Sequence, residues 1–217
     1  MALPYRFNAI VFDFDGVLAD SVDVKGDAFV ALYADEGPEI QSQVLAWHRA
    51  HGGVTRHDKI RHYEKVLLGR SGSDADVEAK AQRFSTLVEQ AVVDAAWVAG
   101  AREFLQHHAG KIPMFVASAT PQDELIRIVE KRGMSSYFTR VLGAPKKKAE
   151  HLGDIMSEYG RQPAELLMVG DAITDYDAAQ SAATRFLGRV PSGTVSPFPN
   201  GTDIVTDLRD LGRWVLR

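Results

Sequence analysis

The stretch Ile10-Val11-Phe12-Asp13-Phe14-Asp15-Gly16-Val17-Leu18-Ala19-Asp20-Ser21 constrains the fold more than any other. An apolar, β-prone run drives into aspartates at positions 13 and 15 and then meets a glycine, which reads as a buried strand ending at a functional edge. If the backbone stays extended, side chains two residues apart project to one side, so both carboxylates share a face. Two like charges so close need a cation or a shared proton. The pair, Asp13 and Asp15, therefore points to a bound hard divalent cation, Mg2+. The competing reading makes both aspartates ordinary turn residues.

With 217 residues the chain can bury one large core and a smaller satellite. A net charge of -4 gives no electrostatic basis for binding nucleic acid or a membrane surface, so any phosphate must be met by a local site. The absence of cysteine excludes disulfides, thiolate metal sites and a cysteine nucleophile, and fits a reducing compartment. Asp13 and Asp15 interrupt the only apolar stretch near the start. No secretory or spanning segment is expected, and the cytoplasm is the expected location.

The first strand is expected at 8–13, with a helix after Asp20-Ser21. From there to about residue 97 only helical patterning occurs. One helix carries Ala28 and Leu32, a second Ile40, Val44 and Trp47, a third Ile60, Tyr63 and Leu67. A long amphipathic fourth carries Val77, Ala81, Phe84, Val88 and Ala91. After Gly100 helices and strands alternate. Strands are expected at 112–117, 138–142, 166–169, 185–188 and 204–205, with helices at 147–159, 176–182 and 207–215 among others. The pattern predicts an α/β fold in which a parallel sheet, covered on both faces, is built from 1–19 and 98–217, and 20–97 form an all-helical insert.

In such sheets ligands sit beyond the carboxyl ends of the strands, and the chemistry-bearing residues fall there. Asp13 and Asp15 follow the first strand, Ser118-Ala119-Thr120 the second, and Gly170-Asp171 a later one, with Asp175 four residues on. Lys146-Lys147-Lys148 precede a helix between the last two. Taken singly, Ser118 and Thr120 could be helix caps, the lysines a solvated run and Asp171 a turn residue. Together they suit phosphoryl transfer. Asp13 is placed to attack phosphorus, and Asp15 to protonate the leaving oxygen and then activate water. Asp13 and Asp171, with the Asp15 carbonyl, would hold Mg2+; Ser118 would bind phosphoryl oxygens and a lysine would offset the carboxylate charge.

These motifs, Asp13 to Ser21, Phe115-Val116-Ala117-Ser118, the lysine before a helix and Gly170-Asp171-Ala172-Ile173-Thr174-Asp175, resemble those of the haloacid dehalogenase-like superfamily, in order and over nearly the whole chain. The likeness is to the subgroup of phosphoglycolate phosphatases and β-phosphoglucomutases. It implies a Rossmann-like core with a helical cap, Asp13 as nucleophile and Asp15 as general acid/base. Lys148, directly before the Ala149-Glu150-His151-Leu152 helix start, is preferred over Lys146 and Lys147, and Asp175 would touch metal-bound water or orient the lysine. Gly16, Arg56, Ser118 and Ala119 are the substrate-binding candidates. The cap stretch His51-Gly52-Gly53-Val54-Thr55-Arg56-His57-Asp58-Lys59 resembles the specificity loop of capped phosphatases: Gly52-Gly53 would be a flexible break, and Arg56, His57 and Lys59 would face an anionic or hydroxylated substrate. His48, His51 and His62 read as bystanders. The implied activity is a Mg2+-dependent phosphatase of a small phosphorylated metabolite, in a monomer or homodimer. A phosphomutase is the alternative, and a non-catalytic binding protein on the same fold is disfavoured by the intact motifs. Dehalogenation needs no second aspartate, so Asp15 argues against it. Phosphonate cleavage would need a desolvated cap lysine, a setting the sequence does not give Lys59 or Lys65.

Overall fold

Successive side chains of the central strands enter two different apolar layers. In β1 (Ala9–Phe12) Ile10 and Phe12 face one layer, Ala9 and Val11 the other. The same division holds for Met114 and Val116 against Phe115 and Ala117 in β2 (Met114–Pro121), and for Leu167 and Val169 against Leu166 and Met168 in β4 (Leu166–Gly170). Both faces are covered, so these strands read as continuous apolar runs rather than as alternations. The structure, a computed structural model, describes residues 5–217. Adding β3 (Arg140–Ala144), β5 (Arg185–Arg189) and β6 (Ile204–Val205) gives a parallel sheet in the order β3-β2-β1-β4-β5-β6.

The helices close over both faces. Leu105 of α5 (Ala101–His108) and Ile128 of α6 (Gln122–Lys131) join one layer, with Leu211 of α9 (Leu211–Val215); Ile155 of α7 (Lys148–Tyr159) and Ala179 of α8 (Ile173–Ser181) join the other. The chain leaves β1 toward β2 and β3, then returns to the opposite side of β1 as β4. That reversal opens a crevice at the carboxyl ends of β1 and β4, where an α/β sheet places its ligand.

Between β1 and β2 lies the helical cap: α1 (Val22–Leu32), α2 (Pro38–Ala50), α3 (Arg56–His62), prolonged by a π-helical stretch Tyr63–Leu67, and α4 (Asp74–Asp94). Thr55 and Ser73 cap α3 and α4 by accepting from the backbone N–H groups of Asp58 and Asp76. Phe29, Tyr63 and Phe84 form the ring cluster at its centre, with Phe29 and Phe84 centroids 4.1 Å apart. The buried stripe of α4 ends on Val92 and leaves Ala91 exposed, because a straight helix drifts away from a strict alternation of four and three.

Some boundaries differ from the expected ones. β2 runs on to Pro121 because pairing with β3 resumes at Ala144 after an irregularity beyond Ala117, so Ser118 and Thr120 lie on a strand and do not cap α6. The last helix is shorter than 207–215, since Asp207 accepts from the Arg209 N–H and holds a turn there. No helix of the described residues is long and apolar enough to cross a membrane.

Candidate active site

Backbone pairing holds β1 in the sheet as far as Asp13, whose N–H donates to the Val169 carbonyl at 2.9 Å. The chain then leaves the extended form: Leu18 and Ala19 both donate to the Phe14 carbonyl, and Gly16 adopts a φ of +73°. A Cβ at position 16 would overlap the Asp171 carboxylate, so glycine is required by conformation and by space. Past this turn the two carboxylates still line one cavity, but they take different partners. Asp15 points toward α1 and accepts from Ser21 Oγ at 2.6 Å and Lys25 Nζ at 2.5 Å.

The acid that joins Asp13 is Asp171, just past β4. Oxygens of Asp13, Asp171 and Asp175 lie within 4.8 Å of one another. Asp175 is engaged by Lys148 Nζ at 2.5 Å and the Ala172 N–H at 3.1 Å, so it takes part in the cluster while holding the lysine in place. Burial pushes Asp13 up to about 7, opposed by the Lys148 ammonium and reinforced by the charges of Asp175 and Asp15. Asp171 is likewise raised, by burial and then by Asp13 and Asp175. Such a cluster fits a hard divalent ion with oxygen ligands. The side chain of Asp15 lies outside it.

Of the three adjacent lysines, Lys148 enters the site: the first residue of α7, it sets its ammonium 2.9 Å from Asp13 Oδ2, while Asp13 Oδ1 accepts from the Phe14 N–H at 2.7 Å. Burial opposes the Lys148 charge, but Asp13 and Asp175 outweigh it and hold the ammonium protonated well above its ordinary range. Lys146 pairs with Asp154 on the outside and Lys147 is exposed. Ser118 is buried at the end of β2, its Oγ accepting from the Thr120 N–H, with Ala119 beside it. Burial also opposes ionisation of Asp15. The Lys25 ammonium and the Ser21 hydroxyl prevail, and its carboxyl sits below the usual range.

Asp13, Asp15, Ser118, Lys148 and Asp171 line a cavity of about 170 Å3 together with Lys25, His48, Arg56 and Lys59 from the cap. Arg56 is buried, and Glu124 of α6 grips its guanidinium at 2.5 and 2.8 Å while Ser85 takes a further bond. Its charge is spent on a tie between cap and core. His57 faces outward to Glu78, and Lys65 is exposed. Lys59, in contrast to the setting read from sequence, is only 4% exposed. Gly52 and Gly53 are a close approach rather than a loose break: a Cβ at 53 would overlap the Thr174 hydroxyl, which donates to the Gly52 carbonyl at 3.0 Å.

Lys25, His48, Thr120 and Thr174 carry roles that sequence reasoning missed. Ser21 and Lys25 stand four apart at the start of a helix and so share a face, a usable signal for what meets Asp15. Thr120 and Thr174 are positioned by contacts between cap and core, and His48 by contacts between cap helices, none of which local spacing encodes.

A family model described as haloacid dehalogenase-like hydrolase matches residues 7–183. A phosphoglycolate phosphatase of Photobacterium profundum is 29% identical over 198 residues, covering 82% of this chain and 81% of the relative. Among solved structures, the HAD-hydrolase YfnB of Bacillus subtilis bound to magnesium is similar with a TM-score of 0.72 at 16% identity, covering 96% of this chain and 98% of that one. CbbY of Rhodobacter sphaeroides in complex with phosphate is similar with a TM-score of 0.72 at 18% identity, covering 95% and 96%.

Proposed function

The chain belongs to the haloacid dehalogenase-like hydrolases, and on that premise we propose that it is a Mg2+-dependent phosphatase of a small phosphorylated metabolite, working through an aspartyl-phosphate on Asp13. The observation that carries this reading is the placement of the Asp13 carboxylate between the Lys148 ammonium and the Phe14 N–H, beside Asp171, at the switch point of the sheet.

Asp13 and Asp171 would hold the Mg2+, with the Asp15 carbonyl. Bound there, the ion would neutralise phosphoryl charge and relieve the repulsion between the two acids. Lys148 favours the ionised form of Asp13, and an Asp13 oxygen attacks phosphorus as the bond to the ester oxygen breaks. Asp15 gives that oxygen a proton, then takes one from the water that attacks the acyl phosphate. The second attack cleaves the bond from Asp13 to phosphorus, releasing inorganic phosphate and restoring the carboxylate. The pairing of Asp15 with Lys25 favours its basic form. A phosphoryl oxygen arriving near Lys25 competes for that ammonium and frees Asp15 to carry the proton of the first step. Ser118 and Ala119, which line the cavity, supply the surface against which the phosphoryl group lies, whereas Gly16 packs behind Asp171 and is not part of the lining.

The test is release of inorganic phosphate from a panel of phosphate esters with Mg2+. Turnover of small esters that stops on chelation is expected, and silence across the panel would remove the reading. Isomerised sugar phosphate with little free phosphate would assign a phosphomutase instead.

A further inference from the structure

Cations that line the cavity have anionic partners in the structure, with one exception. Lys25 is paired with Asp15, Lys148 with Asp13 and Asp175, Arg56 with Glu124, and Arg49 with Asp23. Lys59 is as deeply buried as Lys148 and Arg56, yet among the described residues no carboxylate oxygen lies within ion-pairing distance of its ammonium. Its contacts are His48 Nδ1 at 3.0 Å, the His48 carbonyl at 3.5 Å and the face of Phe29 at 5.8 Å.

The histidine has its protons fixed. His48 Nε2 lies 3.3 Å from the Val22 carbonyl, an acceptor only, so Nε2 carries the hydrogen and Nδ1 offers a lone pair to Lys59. Burial and then the Lys59 charge push His48 down to about 3, so it remains a neutral acceptor and cannot answer the Lys59 charge. Burying an ammonium against one neutral ring is costly unless an anion completes the pair. Burial, with the Lys25 charge beside it, pushes Lys59 down to about 7, and an arriving anion would restore its proton. Lys59 lines the cavity that also holds Asp13, and its ammonium has a third N–H beyond the two directed at His48.

Resting on the phosphatase reading, we propose that Lys59 is the specificity-determining residue of the cap and binds a second oxyanion, a carboxylate or further phosphate, on the alcohol part of the substrate. Substrates would thus be short phosphate monoesters bearing another acidic group, and Arg56, bound by Glu124, would hold the cap in register instead of reading the ligand.

Steady-state kinetics on 2-phosphoglycolate, ethylene glycol bisphosphate and ethyl phosphate separate the possibilities. The wild-type enzyme should favour at least one of the two doubly acidic esters over ethyl phosphate by about tenfold or more in kcat/KM, the scale of a charge-assisted contact. The two acidic esters tell a carboxylate from a phosphate. Lys59→Met should erase most of that preference through KM, with kcat little changed. Equal rates of wild-type enzyme on all three esters would overturn the proposal without recourse to a variant, as would an equal loss on all three in Lys59→Met. Inactivation by borohydride with an aldehyde-bearing phosphonate would show Lys59 to be a nucleophile and also overturn it. No phosphate from any ester would remove the phosphatase reading and this proposal with it.

Discussion

Asp13 and Asp171 face each other in a site from which water is largely withdrawn, and each raises the proton affinity of the other. Charge repulsion of this kind opposes folding until a cation is bound. Asp171→Asn should therefore stabilise the metal-free protein by about 1 kcal/mol, a rise of roughly 2–4 °C in Tm. Thermal unfolding with and without Mg2+ checks this: the ion should raise the wild-type Tm and leave that of the variant unchanged, and an equal rise in both would remove Asp171 as a ligand. Lys59 gives a second expectation. Its folded value, about 7, lies below that of an unfolded lysine, so between pH 7 and about 10 the unfolded chain binds the extra proton and stability rises with pH. Relative to Lys59→Met, the wild-type protein should gain stability in denaturant melts across that window; a constant gap would mean that Lys59 carries no such burden. At this scale Lys148 was legible, because it opens a helix at a strand end. The partner of Asp15 was not, because the argument from strand period fails once the backbone turns at Phe14.

Among the elements, α3 and α6 are tied by the Arg56–Glu124 pair, which crosses from cap to core with both side chains almost fully buried. Removing one partner of such a pair strands the other charge away from water, a loss of about 3–5 kcal/mol, whereas replacing both by apolar side chains is far less harmful. Glu124→Ala should lower stability in urea unfolding by that amount, and Arg56→Met combined with Glu124→Leu should recover most of it. Additive losses would place the pair in a solvated setting. The cap helices themselves were readable from their apolar spacing, and Thr55 and Ser73 precede α3 and α4 as the caps do in the structure. What α3 does was not readable. Arg56 looked like a residue waiting for substrate because its acid lies 68 positions away on a core helix. Gly52 and Gly53 looked loose because Thr174, which packs on them, is more remote still, 122 positions from Gly52.

Over the whole molecule, helix and strand alternating after Gly100 reveal a parallel sheet because crossover connections impose that order. The sheet order, with β1 between β2 and β4, depends on which strands meet through backbone pairing, and side-chain pattern does not specify it. The position of the site follows from that order. It sets Asp13 and Asp171, which are 158 residues apart, at adjacent strand ends, brings Ser118 and Lys148 alongside, and leaves the cap to close the cavity from above. The role of Asp13 as nucleophile is the claim on which the chemistry depends. Mass spectrometry of enzyme quenched during turnover of a phosphate ester tests it most directly. A phosphoryl group on the peptide containing Asp13, labile to hydroxylamine and missing from Asp13→Asn, is the expected result; phosphate released with no adduct at Asp13 would contradict it.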